Sequence, residues 1–430
     1  MSYKLKYIKL ALLLLMGSNA LAQITVQSPY SKFGVGNLNG TTLPQQRSMG
    51  GISAGVFRSS YISNINTGNP ASYAGIGLTT LDIGLSGDIT TLKSNSLSER
   101  SFNSTLSHVA MAFPVTSKSS LSFGLLPYSE LGYNFKNTVN IGGRSFDHIY
   151  AGEGGLSKAY LGYGIQFGDH FRIGANAEYL FGNLIQSTST ENADAGSFNS
   201  RSQHKNNIGG LTYSYGAQFD FKLNNKTSLI IGYSGSAPSS LKSKTSIVNT
   251  IYLKNSVGEE LSALDTLDHV VNNSSNMKLP LLHNIGFSIY KENKWLFGAD
   301  YRIGKWSDFR LDGTNQNLTD TYGVSVGGQF TPDVSAINGY FKRVDYRLGF
   351  SYDKTYVQIN NTDVKQMAIT VGLGLPLSSS YGRSSFYKMN FGTEIGKRGS
   401  LTNGLVKENY INFRLGFMLN DRWFQRFKFD

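Results

Sequence analysis

Residues 211–223 read LTYSYGAQFDFKL. Leu211, Tyr213, Tyr215, Ala217, Phe219, Phe221 and Leu223 share one parity; Thr212, Ser214, Gly216, Gln218, Asp220 and Lys222 share the other. A period of two marks a strand with one oily face and one watery face. The run is long, because soluble strands usually hold about five or six residues. At about 3.3 Å per residue and a tilt near 40° it rises roughly 33 Å, enough for the ~25 Å apolar band of an outer-membrane barrel. The pattern recurs in FRIGANAEYLFG from Phe171, LDIGLSGDI from Leu81 and INFRLGFML from Ile411. Opposite faces carry Asp, Glu, Arg, Asn and Gly, which suits a wet lumen.

Composition points the same way. The chain holds 25 Tyr, 26 Phe and 48 Gly against 9 Pro, and Gly and aromatics are poor helix formers. There is no Cys, so neither a disulfide framework nor a thiolate metal site is available. At the start, Lys4, Lys6 and Lys9 precede the apolar run Leu10–Met16 and Ala20-Leu21-Ala22. These are the parts of a secretory signal peptide, cleaved after Ala22. The run falls short of the ~20 residues of a spanning helix, and no later run is longer. The formal charge of +12 includes the leader lysines and is otherwise scattered, so no nucleic-acid partner is expected.

The expected fold is all-β: a fourteen-stranded antiparallel transmembrane β-barrel. Strands are read at 78–92, 102–115, 119–134, 155–168, 171–183, 208–223, 227–238, 281–291, 294–310, 319–331, 341–357, 364–376, 385–396 and 409–419. Connections after strands two, four, six and eight are tight, while those after three, five and seven read as long polar loops. Short periplasmic turns alternating with long extracellular loops is a barrel property, and an even strand count puts both termini in the periplasm. Trp295 and Trp306, about 28 Å apart along one tilted strand, and Trp423 after the last strand fit interfacial aromatic belts. Trp306 has lumen parity, which requires a bulge or a position above the bilayer.

Catalytic and cofactor signals are weak. The histidines His108, His148, His170, His204, His269 and His283 form no H-x-x-x-H pair, and no G-x-S-x-G elbow is present. G-x-G in FGVGNLNG lacks a strand before it and a helix after it. No enzyme activity, cofactor or metal is therefore expected. The lumen-parity charges Asp82, Asp88, Glu178, Asp220, Lys222, Asp300, Arg302, Arg343, Asp345, Arg347, Lys388, Glu394 and Arg414 are expected to pair and brace the wall; no substrate-binding residue emerges from them.

SPYSKFGVGNL, RSMGGISAGV at 47–56, NPASYAGI at 69–76 and LPLLHNIGFSIYKENKWLFGADYRIGKWSDF at 279–309, with RVDYRLGFSY, ITVGLGLPL and the ending NDRWFQRFKFD, resemble in their order the long-chain fatty acid transporter (FadL/TodX-like) superfamily of outer-membrane hydrophobic-compound transporters, in its Bacteroidota version. The resemblance covers nearly all of the chain after the leader. It implies a domain plan of signal peptide 1–22, a hatch at 23–76 folded back into the lumen, barrel 77–420 and periplasmic tail 421–430. By resemblance Asn69, Pro70 and Ala71 take the hatch's Asn-Pro-Ala element. The residues agree: NTGNPASYAG is rich in turn formers, and Pro70 lacks the N–H that would let the segment join the wall. Pro127, inside strand three, removes a ladder hydrogen bond; the resemblance implies a lateral gap there, and the alternative is that the strand ends near Leu126. Two functions remain at this stage. One is passive uptake of a hydrophobic, fatty-acid-like molecule with release into outer-membrane lipid. The other is a barrel bound to an outer-membrane protein partner, similar in fold to the type IX secretion shuttle.

Overall fold

A computed structural model describes residues 28–57, 63–94, 97–192, 196–255, 257–377 and 385–422. The leader, Trp423 and the end of the tail lie outside them. The fourteen wall strands, numbered in chain order, are β1 (Thr79–Ser94), β2 (Leu97–Thr116), β3 (Ser119–Ile141), β4 (Arg144–Phe167), β5 (Phe171–Asn192), β6 (Asn199–Asn224), β7 (Thr227–Ser236), β8 (Leu282–Lys291), β9 (Trp295–Gly304), β10 (Thr321–Phe330), β11 (Asp345–Ile359), β12 (Thr362–Leu377), β13 (Phe386–Arg398) and β14 (Lys407–Asp421). Neighbours are antiparallel, and β14 pairs with β1 from Asp421↔Thr79 to Lys407↔Lys93, closing the barrel. Closure of β14 on β1 removes the two end edges of the sheet, the condition for crossing a bilayer with strands.

Parity along the wall is as read. Leu211, Tyr213, Phe219, Phe221 and Leu223 are exposed on the outer surface, while Thr212, Gln218 and Asp220 are buried. Connections differ more. The expected loop between strands three and four is wall: β3 and β4 stay paired up to Ile141↔Arg144. β5 and β6 likewise stay paired up to Thr190↔Ser200. The stretch after β7 forms a hairpin, Ser239–Tyr252 with Asp265–Leu279, whose first strand pairs with the top of β6. Above the membrane the outer face meets water, so apolar alternation stops where the strand does not.

Trp306 belongs to no belt. β9 ends at Gly304, and Trp306 opens a short 3-10 turn, Trp306–Asp308. It is 1% exposed and packs on Tyr356 and Phe309, with ring centroids 4.6 and 5.8 Å away. Around them Tyr30, Val35, Leu131, Leu180, Ile208, Leu241 and Met277 form an apolar cluster. The upper interior is thus an oily core rather than a wet lumen. Two more readings change: Lys222 is exposed near the β6–β7 turn and Arg343 sits in a 3-10 turn before β11, so neither lines the lumen strands.

Candidate functional site

Residues 28–57 and 63–76 lie against the inward faces of the wall. Asn69 shows how. Its Oδ1 accepts from Ala71 N (3.1 Å), capping the 3-10 turn Pro70–Gly75. Its Nδ2 donates to Ala54 O (2.8 Å), Tyr233 O (3.3 Å) and Ala217 O (3.5 Å). Asn69 and Ala71 are fully buried, and Pro70 is buried with them. The neighbouring turn around Ser53 and Ala54 donates two backbone N–H bonds to Asp300, at 2.7 and 2.9 Å, and Gln218 Nε2 donates to Ala54 O at 2.9 Å.

This fit depends on bare backbone in the wall. A Cβ on Gly232 would stand 1.8 Å from Ala54 O, on Gly327 2.2 Å from Met49 O, on Gly349 2.1 Å from Gly50 N and on Gly174 2.4 Å from Pro70 O. These glycines all sit at lumen parity on different strands. Glycine on the inward face suits a wet lumen, but it also leaves room for backbone to approach. Its recurrence at lumen parity, strand after strand, was the available signal for a segment pressed against the wall.

Several of the lumen charges are paired, whereas Asp300 is held by backbone N–H groups, and Asp88 and Arg414 make no ion pair with a described residue. Glu178 accepts from Lys158 (3.1 Å) and Ser214 (2.8 Å). Asp220 meets Arg172 at 2.9 Å, and Asp345 meets Arg347 at 2.9 Å and Lys388 at 2.8 Å. His108 Nε2 lies 3.0 Å from Asp82, which also accepts from Gln45 at 3.2 Å. Among the described residues no group of three or more His, Cys, Asp or Glu could hold a metal ion.

Between the apolar cluster and the N-terminal segment lies a cavity of about 380 Å³. Tyr30, Tyr128, Leu282, Trp306 and Tyr356 supply oily walls; Arg47, Lys158, Glu178, Arg302, Glu394 and Arg398 supply polar ones. Tyr30 ties the segment to the wall, donating to Val406 O (2.5 Å) and accepting from Val406 N (3.0 Å). Burial, reinforced by the Glu408 carboxylate, pushes its phenol up to about 12, which keeps it a neutral donor.

One stretch of wall is incomplete. The β2–β3 ladder runs from Thr116↔Ser119 only to Val109↔Leu125. Higher up, among the described residues, β2 pairs only with β1, as far as Leu97, and β3 with β4. Pro127 sits just above the last pair. β3 does not end at Leu126; it continues with a register shift between Pro127 and Ser129. The bulge moves the buried side from even positions (Ser120, Ser122, Leu126) to odd ones (Ser129, Leu131, Tyr133). Tyr128, the extra residue, lines the cavity. The vacated edge of β3 is taken by the N-terminal segment: Asn37↔Glu130 and Leu38↔Ser129 pair, and Asn39 N donates to Tyr128 O at 2.9 Å. A narrow cleft beside it is bounded by Asn39, Leu43, Ser107, Leu126, Pro127 and Arg414.

Solved structures share this architecture. The Ralstonia pickettii toluene transporter TbuX aligns with TM-score 0.58 and 13% identity over 90% of this chain and 100% of that one. A Pseudomonas aeruginosa FadL homologue gives 0.56 and 12% over 90% and 99%. The Pseudomonas putida toluene transporter TodX gives 0.55 and 14% over 90% and 100%. At these identities the likeness is one of fold. No curated protein matches in sequence. A family model described as BamG matches residues 4–430.

Proposed function

The chain belongs to the BamG family, and for this outer-membrane barrel we propose passive passage of a hydrophobic small molecule: entry from outside, residence in the central cavity, and lateral release through the β2–β3 gap. The interrupted ladder above Val109↔Leu125 is the observation that carries the reading. An apolar solute gains ~0.8 kcal/mol per CH₂ by staying out of water, so a side door into lipid is favoured over a drop into the periplasm. Residues 23–76, of which 28–57 and 63–76 are described, serve as the hatch. Asn69, Pro70 and Ala71 anchor its fixed floor, and Asn37–Leu38, held to the β3 edge by a two-residue pairing, forms its movable part. Pro127 keeps the gap open by breaking the register next to it.

Cysteines at Ser107 and Leu126, which border the same cleft and leave Pro127 in place, test this. Their oxidation should abolish uptake of a labelled hydrocarbon by cells or proteoliposomes, and reduction should restore it. Uptake unaffected by complete cross-linking would sink the proposal. A stoichiometric protein partner co-purifying in place of any lipid-like ligand would replace it with a partner-bound barrel.

A further inference from the structure

The outer surface changes character abruptly above β6. Going up that strand, the outward side chains are Leu223, Phe221, Phe219, Tyr215, Tyr213 and Leu211, then Gly209, Asn207 and Lys205. The apolar stretch from Leu223 to Leu211, with its rise of roughly 33 Å, is long enough to cross a hydrocarbon core. The next rows therefore stand in the headgroup layer of the outer leaflet.

Four lysines occupy those rows on three adjacent strands. Lys242 is opposite Gly209 and Lys244 opposite Asn207, with Lys205 one row further up β6. Lys278 is opposite Ser240 on the next strand, diagonal to Lys242. All four point outward: Leu241, Ser243, Ile208 and Met277, at the alternate positions, are buried inside. Each lysine is exposed, and none makes an ion pair with a described residue. Arg310 pairs with Lys278 across the sheet and adds a fifth cation. The outward carboxylate in the row of Lys205, Glu153, lies two strands away, beyond Ile185. Gly209 leaves a bare notch under Lys242, edged by the Tyr179 hydroxyl, which stands 3.0 Å from where a Cβ would be.

Like charges gathered on neighbouring strands repel one another, and an anion at this height would offset that. We propose that this face docks the phosphate groups of an outer-leaflet glycolipid, whose acyl chains continue down over Leu211, Tyr213 and Tyr179. Position selects the lipid over a soluble phosphate, because the patch is continuous with the lipid-facing band and opens towards the membrane. Basic residues beside an anionic leaflet each add to such binding.

Native mass spectrometry of the full-length protein against bisphosphorylated, monophosphorylated and phosphate-free lipid A tests the assignment. Adducts should fall in that order. They should drop about tenfold in a K205S/K242S/K244S/K278S variant, as expected for several lysines each contributing near a charged surface. They should be unchanged in K222S/K226S, on the opposite rim. Heat-modifiable electrophoretic mobility reports folding; if the quadruple variant fails to fold, K242S/K244S carries the test. Equal binding of phosphate-free lipid, or wild-type occupancy in the variants, overturns the site. Displacement of the lipid by inorganic phosphate alone overturns the lipid assignment in favour of a free anion.

Discussion

The barrel has a tall side and a short side. β3, β4, β5 and β6 run 23, 24, 22 and 26 residues. β7, β8, β9 and β10 run 10 each. About ten residues suffice to cross the apolar band, so the short side is membrane wall alone, and the tall side carries a sheet of comparable height above it. The short side is roofed from elsewhere: the 239–279 hairpin leans on β6, and Trp306, Phe309 and Leu318 fill the space beneath. Height on one side and cover on the other together enclose the cavity. The tall side also loses β2 as a partner above Leu125, and there the N-terminal segment takes the place of a wall strand.

The N-terminal segment bridges both sides, and the largest expected effect comes from unseating it. Gly232→Val on the short side places side-chain atoms into Ala54 O, which is backbone and cannot yield; a cost of about 3 kcal/mol or more should leave little heat-modifiable barrel. Gly174→Val, against Pro70 O on the tall side, should do the same. A folded barrel from one and not the other would show that the segment is seated on one side only.

Trp306→Ala removes the largest buried side chain of the short-side roof and should cost about 3 kcal/mol in urea unfolding from detergent, with the membrane strands still protected from amide exchange. Loss of protection in β7–β10 as well would mean that roof and wall are one cooperative unit. Asn69→Ala, which drops a cap and the bonds to Ala217 and Tyr233, should cost about 1–2 kcal/mol. Amide exchange should quicken in Pro70–Gly75 rather than in the wall. The smallest effect belongs to the exposed top of the tall side. Lys136 and Asp147 pair at 2.9 Å there, and Asp147→Asn should change stability by less than about 1 kcal/mol. A larger loss would show that the sheet above the bilayer is marginal.

What could be read from the chain depended on what each face touches. Leu211–Leu223 declared itself because lipid demands apolar residues on one face and the interior tolerates polar ones on the other. The tops of β3 to β6 did not, since water meets both their outer face and their ends. STSTEN and NSRSQH therefore read as loop although they pair as strand. Trp306 carried the parity of the interior, and that parity was the better guide than its spacing from Trp295. Pro127 marked an irregularity but could not say which neighbour was lost; the ladder breaks towards β2 and not β4.

Alternation along single strands is a local property, so the amino-acid order alone was enough to specify strands, their number, their inner and outer sides and the bilayer as solvent. Closeness between residues far apart in the chain is not local. The seating of Ala54 on Gly232, the cavity between Tyr356 and Arg47, the docking of Asn37 and Leu38 on the β3 edge and the lysines gathered from β6 and the hairpin arise only when the wall closes. Closure sets which strand tops become neighbours, and neither propensity nor periodicity contains that information.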